Sequence, residues 1–260
     1  EERNLSFRLV VPGGLSIAVF DEKMIDILIA HGLTAVYFPI ESGSKHVQDK
    51  IIKKRVDLDK AVRLVSYSKQ KGLFTGINII LGFPGETKEM MHETYKFISD
   101  LSVDWIAFFA AYPYPETEMT NILLSRGTLT QDDLVNIWDS STQGFKKRPF
   151  DTEEISGQDL SDLIYDMNIK LNFFLNYNLR MKNYAHVIPK LNKLIDRYPF
   201  HVIALACRSK CFHELGRYED ALDDVAEIKG LVLENRESAR LFERYRESIL
   251  ETIGSYELAL

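Results

Sequence analysis

Short apolar runs alternate with amphipathic stretches over the first 115 residues. The runs LSFRLVV (5–11), AVYFPI (35–40), FTGINIILG (74–82) and WIAFFAAYPY (105–114) predict strands. Between them, DEKMIDILIAHG (21–32), SKHVQDKIIKKR (44–55), DLDKAVRLVSYSKQKG (57–72) and TKEMMHETYKFISDL (87–101) predict helices. Asp21 starts the first helix and Gly32 stops it, and Gly72 stops the third. In the fourth, Met90, Met91, Tyr95, Ile98 and Leu101 fall near one face. Successive strand–helix units predict an α/β architecture, a parallel sheet with helices packed outside it. The strands are apolar throughout, which predicts burial on both faces. A doubly wound sheet and part of a β/α barrel both fit, and in either one ligands sit at the carboxyl ends of the strands. Those ends read VVPGG, PIESGS, ILGFPGE and AYPYPE, all rich in Gly, Pro, Glu or Ser.

Beyond residue 160 the strand signals stop and a helical repeat begins. NYAHVIPKLNKLIDRYP (183–199) aligns with RYEDALDDVAEIKGLVL (217–233), with Tyr184 and Tyr218 34 residues apart. GRYEDAL (216–222) returns as GSYELAL (254–260), at a spacing stretched to 38. A helix-pair period of this kind is similar to the tetratricopeptide repeat. Each pair is expected to stack on its neighbour through Leu191, Leu194, Pro199, Leu205, Phe212, Ala221, Val225 and Ile228. The expected organisation is α/β (1–125), a connecting extension (126–160) and an all-α repeat domain (161–260). The polar stretch 140–158 is the expected boundary, with Gly144, Pro149 and Gly157.

Composition narrows the function. The 260 residues are 45% hydrophobic and 27% charged, with net charge −6, which argues against a general nucleic-acid binder. No apolar run is long enough to cross a bilayer, and the charged opening EERN is no secretory signal. Two cysteines make no disulfide framework and point to a reducing, cytoplasmic setting. A chain that opens on Glu, with a strand-like run starting at Leu5, is expected to be a fragment of a larger protein. Cys207 and Cys211 share one helical face and read as buried core residues. With His213 they cannot close a tetrahedral metal site, so no metal ligands are assigned. No histidine pair has H-E-x-x-H spacing and no G-x-S-x-G occurs. Basic KKRP (146–149) and IIKKR (51–55) read as solvated faces.

The turn GFPGET (82–87) follows a strand and opens a helix, the arrangement in which many proteins hold a phosphate. It is neither a Walker loop nor G-x-G-x-x-G. Taken alone it is a helix start, with Glu86 and Thr87 favoured by the helix dipole. It stands, however, between IESGS (40–44) and YPYPET (112–117), at consecutive strand ends.

Together, GGLSIAVFDEKMIDILIAHG, IESGS, NIILGFPGET and PYPET resemble the second half of the radical S-adenosylmethionine catalytic barrel. The nearest flavour is the group that carries an amino-terminal cobalamin-binding domain. The resemblance spans residues 5 to about 160. It implies S-adenosylmethionine and a four-iron, four-sulfur cluster as cofactors, with cobalamin as a further one. It implies polar cofactor contacts at Glu41 and Ser42, with Gly43 beside them. Ile79, Gly82 and Phe83 would lie near the adenine, and Tyr112 and Pro113 would line the last rim. A carboxylate accepts from ribose hydroxyls or an ammonium group, and glycine lets backbone approach a flat ring. Two departures stand out. The family's Pro-Gly-Thr is here Pro115-Glu116-Thr117, and no cysteine precedes Cys207, so the cluster motif C-x-x-x-C-x-x-C is missing.

The resemblance implies an iron–sulfur oxidoreductase or methyltransferase whose intact form makes a 5′-deoxyadenosyl radical, with this chain alone inactive and its small-molecule substrate unidentified. A different class also fits: a non-catalytic adaptor with helical repeats that bind a protein partner on a degenerate barrel scaffold. A third reading is an ordinary phosphate-binding β/α enzyme. No nucleic-acid or membrane partner is expected.

Overall fold

The computed structural model describes residues 8–11, 14–139 and 148–254, in two compact units, residues 1–168 and 169–260. The first unit alternates strand and helix: β1 (Leu9–Val11), α1 (Glu22–Ala30), β2 (Leu33–Glu41), α2 (Leu58–Gln70), β3 (Phe74–Leu81), α3 (Lys88–Ser99) and β4 (Trp105–Ala110). It continues with α4 (Glu118–Ser125), α5 (Gln131–Asp139) and α6 (Gly157–Ile169). The strands are parallel and lie in the order β1-β2-β3-β4. A sheet wound in sequence order with right-handed crossovers keeps its connecting helices on one face, unlike a doubly wound sheet, whose order reverses.

That winding explains the burial. Phe38, Ile40, Ile77, Ile79, Leu81, Ile106 and Phe108 are all 5% exposed or less. The alternate residues Tyr37, Pro39, Asn78, Ile80, Trp105, Ala107 and Phe109 are only half-buried. The uniformly apolar strands therefore do not mark burial on both faces among the described residues. Among the described residues one face lies under helices and the other, largely apolar, is only partly covered. Each fully buried aliphatic or aromatic side chain contributes about 1.5–3 kcal/mol.

Helix ends follow local chemistry. Asp21, Asp57, Thr87 and Thr117 are N-caps whose side chains accept from the backbone three residues on. The helix expected over 44–55 shortens to a helical turn ending in the π-helical Val47–Ile51. Gln48 accounts for this. Its Nε2 donates to Ile40 O and Ser42 O, both at 2.7 Å, and its Oε1 accepts from Val56 N at 3.2 Å. The side chain folds the segment back on the end of β2, and Lys53 and Arg55 take positive φ in the return. The last strand stops at Ala110 rather than Tyr114, because Pro113 and Pro115 lack the N–H that a ladder needs.

The second unit holds α7 (Tyr177–Arg180), α8 (Tyr184–Arg197), α9 (Val202–Glu214), α10 (Tyr218–Glu234), α11 (Arg236–Arg244) and α12 (Arg246–Ile253). The helix α9 is its centre. Nine of its 13 residues are buried, which is the pattern of a helix surrounded by others. Arg208 fixes the register across three helices, donating to both Asp224 oxygens (2.5 and 3.0 Å) on α10 and to Asn192 Oδ1 (3.0 Å) on α8. Of the expected stacking residues, Leu191, Leu205, Phe212, Ala221, Val225 and Ile228 are buried and Leu194 is half-buried. Pro199 is exposed, since it sits past the end of α8. Residues 255–260, most of the returning GSYELAL, lie outside the described residues, as do 140–147 of the expected boundary.

Candidate functional site

The carboxyl ends of β2, β3 and β4 form one rim, and each end is built by side chains of the chain itself. At β2 the register against β3 shifts between Pro39 and Glu41, and Glu41 sits at φ +69°. Such a bulge re-aims a side chain and costs about 1–2 kcal/mol at a residue other than glycine. The Glu41 carboxylate, 17% exposed, pairs with Lys54 Nζ at 2.7 Å, and the same ammonium donates to Pro39 O at 2.7 Å.

Ser42, Gly43 and Ser44 turn away from the rim. The Ser42 hydroxyl is fully buried, 2.9 Å from Thr94 Oγ1, and accepts from Ser44 N. Gly43 N donates to Thr94 Oγ1 (3.1 Å), and Ser44 Oγ donates to Glu93 Oε2 (2.6 Å). A Cβ on Gly43 would stand 2.6 Å from Phe97 Cβ, so glycine here serves close packing on α3. Thr94 has no part in the motif reading, yet it lies on the face of α3 that holds Met91 and Ile98, and the same periodicity that finds those finds it.

At β3 the turn is held by Glu86. This side chain is fully buried, and its Oε2 accepts from Gly82 N (2.7 Å) and Phe83 N (3.1 Å). Its Oε1 is buried with no hydrogen-bond partner. Burial pushes the carboxyl up from 4.5 to about 7, against the pull of the two amides and of Arg148. Glu86 is thus not a solvated acid at a helix start. Thr87 alone does the capping.

Arg148 completes the turn. It donates to Gly82 O (2.8 Å), Phe150 O (3.0 Å) and Ile155 O. It is 3% exposed, so the reading of KKRP as a solvated face fails at this residue; Lys146 and Lys147 lie outside the described residues. The Gly82 peptide is gripped on its N–H by Glu86 and on its C=O by Arg148. Gly82 takes φ +87°, and a Cβ there would meet Leu160 Cδ2 at 2.3 Å. Gly85 N donates to Glu154 Oε1 at 2.8 Å. Carboxylates therefore occupy three amide donors of the turn, and an anion has no free donor at those positions.

Ile79 is fully buried on the helix side of the sheet, so it can offer a ligand only its backbone. Phe83 is half-buried. At β4, Tyr112 donates to Ile137 O (2.9 Å), which ties the rim to α5, and Pro113 is buried. Glu116 is exposed at φ +63°, a conformation that glycine adopts without strain.

The rim has a mixed character. Ile80 and Phe109 give a half-buried apolar surface, and Asn78, Glu41 and Lys54 give polar groups at its margin. An adenosyl group, flat and apolar with hydroxyls at one edge, matches that set. A cluster does not. Among the described residues no group of three or more His, Cys, Asp or Glu could hold a metal ion. Cys207 and Cys211 are buried in α9, and burial pushes both thiols up, Cys211 to about 12, which makes them poor ligands. No helix among the described residues is long and apolar enough to cross a membrane.

A family model described as the radical SAM superfamily matches residues 1–98. Cytidylyl-2-hydroxyethylphosphonate methyltransferase of Streptomyces wedmorensis is 27% identical over 128 residues, 47% of this chain and 24% of that protein. The uncharacterized methyltransferase PH0819 of Pyrococcus horikoshii is 32% identical over 113 residues, 44% of this chain and 24% of that protein. A tRNA-2-methylthio-N(6)-dimethylallyladenosine synthase of Oceanobacillus iheyensis is 30% identical over 99 residues, 36% of this chain and 18% of that protein. The chain thus spans about a quarter or less of the length of these relatives. The likeness to the radical SAM superfamily thus covers the amino-terminal part of the chain, residues 1–98.

Proposed function

We propose that the first unit is the carboxyl-side arc of a radical S-adenosylmethionine barrel and that its rim binds the adenosyl part of that cofactor. The observation that carries this is the superfamily match together with the partly covered, largely apolar face at the ends of β3 and β4, bordered by the Glu41–Lys54 pair. When bound, the cofactor supplies a 5′-deoxyadenosyl group for radical chemistry. The residues of this chain bind and orient it: Ile80 and Phe109 as a platform, Glu41 as acceptor for ribose hydroxyls, and the Glu86–Arg148 clamp to hold the Gly82 peptide still. Ser42 and Gly43 support the rim from behind rather than touch the ligand. Cluster ligation falls to residues that this chain does not have. The relatives' names suggest transfer of a methyl or methylthio group to a substrate yet to be identified. The helical unit is read as tetratricopeptide-like, supported by the 34-residue spacing of α8 from α10.

Titration calorimetry of the chain with S-adenosylhomocysteine tests the reading. Saturable binding that weakens in Glu41→Ala and Phe109→Ser supports it, and no binding to the parent chain argues against it. The gene upstream of Glu1 gives a separate check. An in-frame C-x-x-x-C-x-x-C is expected there, whereas a start codon just before Glu1 favours the adaptor reading. The phosphate-binding reading loses ground because carboxylates already fill three of the turn's amides.

A further inference from the structure

The helix α10 has two apolar faces, and only one is used among the described residues. Ala221, Asp224, Val225 and Ile228 are buried against the unit. On another face Tyr218 (59% exposed), Leu222 (57%) and Leu233 (82%) recur at helical spacing, with exposed Ala226 and half-buried Lys229 between them. This ridge is roughly 22 Å long at 1.5 Å per residue.

The internal repeat explains why the ridge is bare. Tyr218 and Leu222 stand 34 residues after Tyr184 and Ile188, which are only 7% and 9% exposed. That earlier pair lies on α8, which packs against α9. The counterpart of α9 one repeat later is α11, which also starts 34 residues on, at Arg236. It runs for only nine residues and breaks at Tyr245 (φ −122°, ψ 23°). Tyr245 is the counterpart of Cys211. After the break α12 buries Ile249 and Ile253 and packs on α9. The stretch of helix that would cover Tyr218 and Leu222 is turned aside.

Two features describe what would fit. Gly230 lies at the edge of the ridge inside the helix, and a Cβ there would meet nothing within 4 Å. An interior helix glycine costs about 1 kcal/mol relative to alanine, and no packing among the described residues requires it. With Ala226 it makes a shallow notch where another backbone can come close. Exposed Glu219, Asp223 and Glu227 each follow a ridge residue and form an acidic row along one flank. We propose that this face of α10 docks a basic amphipathic helix of another protein, its apolar stripe on the ridge and its cations against the acidic row.

The test uses the full chain, a labelled Leu/Lys amphipathic helix of about five turns and a matched Leu/Glu helix, read by fluorescence anisotropy. The Leu/Lys helix is expected to bind saturably and the Leu/Glu helix not to bind. Leu222→Glu is expected to weaken binding by about tenfold or more. Gly230→Leu fills the notch and should weaken binding similarly while raising the melting temperature, because leucine is the better helix former. Loss of binding in that variant cannot come from unfolding. Absence of saturable binding, or equal binding by both peptides and all variants, overturns the proposal. So does a parent dimer in sedimentation equilibrium that Leu222→Glu makes monomeric, which would assign the ridge to a second copy of the chain.

Discussion

Replacing Glu86 with glutamine isolates one buried charge. The carboxyl is raised from 4.5 to about 7 by burial, its largest cause, although two amides and Arg148 favour the charged form. At about 1.4 kcal/mol per pH unit, the gap amounts to about 3 kcal/mol of linkage to folding. The sign follows from the direction. The folded state binds the proton more tightly than the unfolded chain, so this contribution is complete below 4.5 and lost as pH rises through about 7. Above that, the folded state carries the full cost of a buried carboxylate. The glutamine Oε1 can still accept from Gly82 and Phe83, and its amide takes the place of the unpartnered Oε1. Leaving that amide unpaired costs about 1–3 kcal/mol at every pH. The assay is urea unfolding followed by tryptophan fluorescence, because Trp105 and Trp138, the two tryptophans, both lie in the first unit. The difference between parent and variant, taken pH by pH, removes the titration of every other group. It should favour the variant increasingly from pH 4.5 to about 7 and then level off. A difference flat across that window would refute the buried-carboxylate reasoning.

Three further outcomes are expected. Gly82→Ala places a Cβ 2.3 Å from Leu160 at φ +87°, and should lower the urea midpoint of the first unit by an amount worth about 2 kcal/mol or more. Glu116→Gly relieves a left-handed residue at φ +63° and should stabilise the same unit by about 1 kcal/mol, seen as a higher midpoint. His201 accepts from Ala204 N through Nδ1 (3.2 Å), and burial holds its pKa below 6.5. The helical unit should therefore lose stability as pH falls below that value. His201→Asn keeps a cap without a titration and should flatten the pH dependence of circular dichroism melts.

The sheet was legible because buried strands and amphipathic helices write different periods into the chain, and Asp21, Asp57 and Thr87 mark helix starts by chemistry that acts within four residues. The helix at 44–55 misled, because Gln48 satisfies carbonyls of β2 that no local rule anticipates. The site was legible only in outline. Its strand ends could be named from their Gly, Pro, Ser and Glu content. The division of labour among them could not, because it depends on partners far away in sequence, such as Thr94 behind Ser42 and Arg148 across from Gly82.

By itself, then, the sequence determined the parallel strand–helix alternation, the helical second unit and strand ends rich in Gly, Pro, Ser and Glu. These follow from local periodicity and turn residues. Tertiary structure decided which face of the sheet is covered and that the glycines at 43 and 82 serve packing. It also decided that Glu86 is a buried clamp rather than a surface acid. Burial, and with it the pKa of a carboxyl or the exposure of an apolar ridge, depends on which distant segments come together. Short-range pattern carries no record of that.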